Sequence, residues 1–206
     1  MTAPTHVTFY FDPGCPWTWM TSRWLVDATG QTGTHVEWRS LSLGVLNAGR
    51  EVPEQYRAPM EAGKKVHRMV AVLRANSRND LIDALYTEYG RRTFHDGATP
   101  STELLADVVQ HVGAGEWAWA MEDEDWDDEI EASTNEAIEL AGPDVGSPVL
   151  AWGDPRQGVF GPIVSPPPTG EAAVALLEHV VGVRELPGVY EIKRGRRSGP
   201  QFGPRP

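Results

Sequence analysis

The residues of this chain whose types and order point to chemistry are Cys15-Pro16-Trp17-Thr18. They follow His6-Val7-Thr8-Phe9-Tyr10-Phe11, a β-branched and aromatic run that reads as a strand, and the turn signal Asp12-Pro13-Gly14. Pro16 sits where a helix would begin, since proline is tolerated in a first turn. Cys15 is thereby set at a helix N-terminus, where unpaired N–H groups and the helix dipole supply partial positive charge. Cysteines so placed have pKa values lowered to roughly 3.5–7.5, and the thiolate is the nucleophile in disulfide exchange. The functional reading is a reactive thiol; the alternative is a small buried hydrophobe. Thr18, three residues on, shares the helix face and can donate a hydrogen bond to the Cys15 sulfur, or else to its own backbone.

The 206 residues hold no second cysteine. This excludes an internal disulfide framework, a cysteine-rich zinc site and an internal dithiol cycle. Thr18 cannot resolve a mixed disulfide, so any disulfide formed at Cys15 must be broken by an external thiol.

These residues need elements to position them. Trp17 to Ala28 carries apolar residues at helical spacing, with Gly30 suited to the stop, and Thr34 to Leu43 reads as a second strand. From Pro53 to about Ala141 the pattern is helical: 54–75, 80–94, 101–112 and 116–140, the last broken near Asp123. Strand character returns at Pro148-Val149-Leu150-Ala151-Trp152, then a turn at Gly153-Asp154-Pro155 and a hairpin partner over 157–161. Thr169 to Gly182 forms a final helix. The order βαβ, helices, ββα is that of an α/β thioredoxin-like fold with an α-helical insertion. Residues 1–50 and 143–190 form the thioredoxin-like domain, 51–142 the insertion and 191–206 a flexible basic tail.

Composition narrows the function classes. A net charge of −11 argues against nucleic-acid binding, which needs a basic footprint. Hydrophobic content of 40% supports a globular core. No run approaches the ~18 apolar residues of a membrane span, and the first twelve residues lack a basic-then-apolar leader. The lone cysteine fits a reducing compartment. The expectation is a soluble cytoplasmic protein, monomer or homodimer, with no nucleic-acid or membrane partner.

A Cys-Pro-x-x helix start, a helical insertion and a late x-Pro strand together resemble the DsbA-like branch of the thioredoxin superfamily. Phe11-Asp12-Pro13-Gly14-Cys15-Pro16-Trp17-Thr18-Trp19 and Thr21-Ser22-Arg23-Trp24 resemble the mycothiol-dependent nitroreductase family of actinobacteria. So do Ser42-Leu43, Val45-Leu46-Asn47, Pro53-Glu54-Gln55-Tyr56-Arg57 and Asp144-Val145-Gly146-Ser147-Pro148. The resemblance implies that Cys15 is the attacking cysteine and Pro148 the family's cis-proline beside it, with the Ser147 backbone placed to pair with a bound thiol. Pro16, Trp17, Asn47 and Tyr56 then shape the pocket for substrate and mycothiol. The family's resolving cysteine falls at Thr18, which puts intramolecular disulfide chemistry out of reach.

Other signals carry less. Residues 122–131 hold eight acids in ten, but a calcium loop fails because its sixth position is Asp128 and its twelfth Thr134; a solvated acidic face is expected. His95 reads as a surface-loop histidine, although it can reach the site from the insertion. Trp117 and Trp119 read as packing residues, and Lys193, Arg194, Arg196 and Arg197 as a solvated tail.

The expected function is that of an enzyme, a DsbA-like thiol oxidoreductase with Cys15 and Thr18 as catalytic residues. It would hold no tightly bound cofactor or metal, and would use an external small thiol, mycothiol by resemblance, to reduce a small electrophile or a mixed disulfide. The rivals are a thiol transferase or isomerase similar to kappa-class glutathione transferases and hydroxychromene-carboxylate isomerases, and a non-catalytic binding protein with a decayed redox motif.

Overall fold

The computed structural model describes residues 3–49, 51, 53–153, 156–184, 186 and 188–206. Four strands, β1 (His6–Phe11), β2 (His35–Ser40), β3 (Val149–Trp152) and β4 (Gln157–Phe160), form one sheet in the order β2-β1-β3-β4. β1 and β2 are parallel, joined by helix α1 (Pro16–Thr32); β1–β3 and β3–β4 are antiparallel. This is the βαβ…ββα thioredoxin-like arrangement. The expected turn residues Asp154 and Pro155 lie outside the described residues.

Side-chain alternation along β1 builds two cores. Val7, Phe9 and Phe11 face one layer together with Trp19, Trp24 and Leu25 of α1 and Leu177 of α7 (Glu171–Arg184). The Trp24 indole N–H donates to the Ala173 carbonyl at 2.9 Å, tying α1 to α7. Tyr10 faces the other layer with Val149, Ala151 and Ala137 of α6 (Asp127–Ala141).

Between β2 and β3 lie α2 (Leu43–Leu46), α3 (Glu54–Ala75), α4 (Asn79–Gly90), α5 (Thr102–His111) and α6. Several expected boundaries shift for local reasons. α1 runs past Gly30 and ends at Gly33, whose φ of 72° suits glycine and whose N–H reaches the Thr29 carbonyl at 2.9 Å. β2 stops at Ser40, because Ser42 caps the short α2. α4 passes into a wider π-helical turn over Arg91–His95. A Cβ at Gly90 would overlap the Trp19 ring, so glycine lets this helix approach α1. The expected 116–140 helix is two short 3-10 segments followed by α6.

The acidic stretch is less solvated than its composition implies. Arg68, on α3 and almost wholly buried, grips Asp127 through two bonds of 2.8 and 3.1 Å. Lys64 reaches Asp127 at 2.7 Å and Arg74 reaches Glu129 at 2.7 Å. These pairs fasten α3 to α6. Trp117 packs against the core, whereas Trp119 is exposed, with its ring 6.5 Å from that of Trp126.

The C-terminal segment, expected to pack loosely, lies against the body. Phe202 meets the rings of Phe94 and His95 at 5.4 and 5.7 Å. Arg205 makes two 2.8 Å bonds to Asp96. Arg196 stands 4.3 Å over the Trp17 ring.

Candidate active site

Cys15 is the N-cap residue of α1, with Pro16 as the first helical residue. Its N–H donates to the Asp12 carbonyl at 3.2 Å, and its carbonyl accepts the Trp19 N–H at 3.0 Å. The turn before it is set by the Asp12 carboxylate. Oδ1 accepts the Gly14 N–H at 2.8 Å and Oδ2 the Leu43 N–H at 2.7 Å. One aspartate thus ties the Cys15 turn to the start of α2.

Ser147 closes the other side. Its Oγ accepts the Asp12 N–H at 2.9 Å and the Thr18 hydroxyl at 2.8 Å. The Ser147–Pro148 peptide is cis, and the Pro148 carbonyl accepts the Gly161 N–H at 2.9 Å. Asp12 in the β1–α1 turn, Thr18 in α1 and Ser147 just before β3 meet around the half-buried Cys15.

The electrostatics differ from the helix-terminus expectation. The Cys15 side chain makes no capping hydrogen bond. Burial pushes its thiol above the ordinary cysteine range; the Thr18 hydroxyl and the N–H groups of Thr18 and Trp17 pull it down, and the Asp12 carboxylate adds to the rise. Desolvation therefore outweighs the terminus. The Thr18 hydroxyl has one proton and two candidate acceptors, Ser147 Oγ and the sulfur. It donates to Ser147 here, and rotation would hand that proton to a thiolate.

A cleft of about 820 Å³ opens beside this turn, between the segment after β2 and helices α3 and α6. Asp12, Gly14, Asn47, Met60, Lys64 and His67 are among its walls. Asn47 donates from Nδ2 to the Leu43 carbonyl at 2.7 Å, holding the end of α2. A smaller depression of about 310 Å³ near Thr34, Asn79 and Asp83 includes no residue of the Cys15 turn.

Residues 14–194 match the Rv2466c-like family, described as mycothiol-dependent nitroreductase Rv2466c. The chain belongs to that family. Membership carries the class, a thiol oxidoreductase. The uncharacterized protein Rv2286c of Mycobacterium tuberculosis is 33% identical over 197 residues, covering 92% of this chain and 82% of its own. Among solved structures, the probable DsbA oxidoreductase SCO1869 of Streptomyces coelicolor aligns with a TM-score of 0.56 at 18% identity, over 93% of this chain and 94% of that one. The cytosolic disulfide reductase DsbM of Pseudomonas aeruginosa with GSH aligns with a TM-score of 0.56 at 15% identity, over 86% and 99%. At those identities the likeness concerns the fold.

Of the residues singled out from the family resemblance, Cys15, Pro16, Thr18, Ser147 and Pro148 come together, and Asn47 lines the neighbouring cleft. Trp17 is not among the cleft residues; its ring is under Arg196. Tyr56 falls in α3, and its side chain lies outside the described residues. His95 is no free loop histidine: its Nε2 accepts the Trp19 indole N–H at 3.1 Å.

Sequence reasoning missed Asp12, His67 and the Ser147 side chain. Asp12 was within reach, because Asp before Pro-Gly favours a side chain bonded to the backbone two residues on. Ser147 was valued only for its backbone. His67 carried no signal, since it stands among Val66, Met69 and Val70 on a helix that reads as core.

Proposed function

We propose that this protein is a monothiol oxidoreductase. Cys15 attacks a disulfide and displaces one of its thiols, or attacks a small electrophile whose reduced form a first external thiol displaces from the Cys15 sulfur. Either way Cys15 is left as a mixed disulfide, and a further low-molecular-weight thiol, mycothiol by family, releases it. The observation that carries the reading is a half-buried Cys15 with Thr18 at the resolving position, beside a cleft sized for a small thiol.

The Thr18 hydroxyl and the first-turn N–H groups stabilise the Cys15 thiolate when it forms or leaves. Pro16 fixes the first helical turn, and Asp12 fixes the approach to it. The Ser147–Pro148 edge faces the adduct. Asn47 and Tyr56 contribute to the pocket for the thiol, and Trp17, under Arg196, bounds the covered side of the site. No resident cofactor or metal enters the scheme. A lone cysteine that must return to its reduced form suits a reducing, cytoplasmic setting.

Intact-mass measurement tests this. Incubation with a symmetrical small-thiol disulfide is expected to add one thiol per chain at Cys15, and excess free thiol to remove it. Absence of an adduct, or an adduct that free thiol leaves in place, contradicts the proposal.

A further inference from the structure

The release step, as proposed above, leaves a proton to be moved. An alkyl thiol is largely protonated near neutrality, and only its thiolate attacks a disulfide. A carboxylate is too weak a base for that proton, and both Asp12 oxygens already accept backbone N–H groups. Thr18 offers only a hydroxyl.

His67 has the open valence. It lies on α3, is 1% exposed and lines the same cleft as Asp12 and Gly14. Nδ1 is 3.0 Å from Ser40 Oγ. Nε2 has no hydrogen-bond partner among the described residues, and Asp12 Oδ2 stands 3.6 Å from it. When Nδ1–H donates to Ser40, Nε2 presents its lone pair, and the Asp12 carboxylate is placed to stabilise the imidazolium that protonation creates. The other charged groups on these walls are Glu51 just before α3, Arg57, Glu61 and Lys64 of α3, and Asp127 and Glu131 of α6. Lys64 is paired with Asp127 at 2.7 Å.

We propose that His67 is the general base for the external thiol that releases the Cys15 mixed disulfide, with Asp12 as its positioning carboxylate. The inference rests on the monothiol cycle proposed above. The incoming thiol gives its proton to Nε2, and its sulfur bonds to the outer sulfur of the adduct. The bond to the Cys15 sulfur breaks and Cys15 leaves as thiolate, which takes the proton back from Nε2. Two external thiols end as one disulfide, and Cys15 ends reduced. A thiol that burial holds above its ordinary range is a poor leaving group as an anion, so return of the proton matters here.

The test uses the isolated Cys15 adduct of the full chain and two attacking probes at pH 7: N-acetylcysteine, which is mostly protonated, and thionitrobenzoate, which is already a thiolate. His67→Asn keeps a polar group for Ser40 but has no base; His67→Gln is the second variant. Release by N-acetylcysteine is expected to slow by about 10²-fold, the lower range for general-base catalysis. Release by thionitrobenzoate is expected to stay near the wild-type rate. Equal slowing with both probes, or no slowing with either, overturns the proposal. The wild type gives a reading independent of variant folding. Release by N-acetylcysteine should show a normal solvent deuterium isotope effect absent with thionitrobenzoate; the same effect with both probes overturns it. A wild type that forms no adduct overturns the monothiol cycle itself, and this inference with it.

Discussion

The two sides of Cys15 along the chain lead into different surroundings. Gly14 opens on a cleft of about 820 Å³. Its walls are braced by the Arg68–Asp127, Lys64–Asp127 and Arg74–Glu129 pairs between α3 and α6. Trp17 instead sits under Arg196, on a segment anchored by Phe202 and Arg205. Arg196 lies beyond residues 14–194, the part that matches the family. The cleft is thus framed by family-matched helices, whereas Arg196 of the C-terminal segment covers the Trp17 side. One strand-to-helix turn presents an open approach and a covered one.

The largest expected effect removes the centre on which both approaches converge. Cys15→Ser should abolish adduct formation with every disulfide tested by intact mass. An adduct that persists elsewhere on the chain breaks the account.

Next comes the wall of the cleft. Arg68→Ala leaves Asp127 without its buried partner and should cost roughly 2–3 kcal/mol, below the range for fully buried pairs because Asp127 is partly exposed. Denaturant unfolding checks this. The variant should also weaken release by the external thiol, while alkylation of Cys15 by a small reagent stays unchanged. Loss of both together would deny the cleft a separate role.

A smaller effect is expected for Thr18→Val. It removes a hydrogen bond worth about 1.5 kcal/mol to a charged acceptor, so alkylation at fixed pH should slow about tenfold. In the wild type, burial raises the Cys15 pKa, so the alkylation rate should climb with pH and inflect above the value for a free cysteine. Ionisation of Cys15 is harder in the folded chain than in the unfolded one, so stability is lost as pH rises through the folded-state value. An inflection below pH 7 would restore the helix terminus as the dominant influence.

The smallest effect concerns the covered side. Truncation after Arg194 should speed alkylation of Cys15 by a bulky maleimide severalfold and leave iodoacetamide unchanged. Equal rates with both reagents would show that the segment covers nothing of consequence.

Much of this was legible in the sequence, for identifiable reasons. The six residues of β1 alternate faces and are bounded by Asp-Pro-Gly, and α3 keeps helical spacing from Glu54 to Ala75; local pattern and tertiary demand agree at both. Cys15, Thr18 and Ser147-Pro148, which the structure brings together, stand out in the sequence by type and family resemblance, because chemistry restricts what can stand there. Three things escaped. The sign of the Cys15 shift depends on burial from residues far away in sequence. The place of His67 needs the register of α3 against β2, which no local pattern encodes. The Arg196–Trp17 contact joins residues 179 positions apart, and a Gly/Pro/Arg-rich composition reads as loose chain whether or not it finds a docking surface.

The most direct measurement is a crystal structure of the Cys15 mixed disulfide with a small thiol. The account predicts that the adduct lies in the cleft against Asp12, Asn47 and His67, with Arg196 still on Trp17. An adduct over Trp17, with Arg196 displaced and the cleft empty, would contradict it.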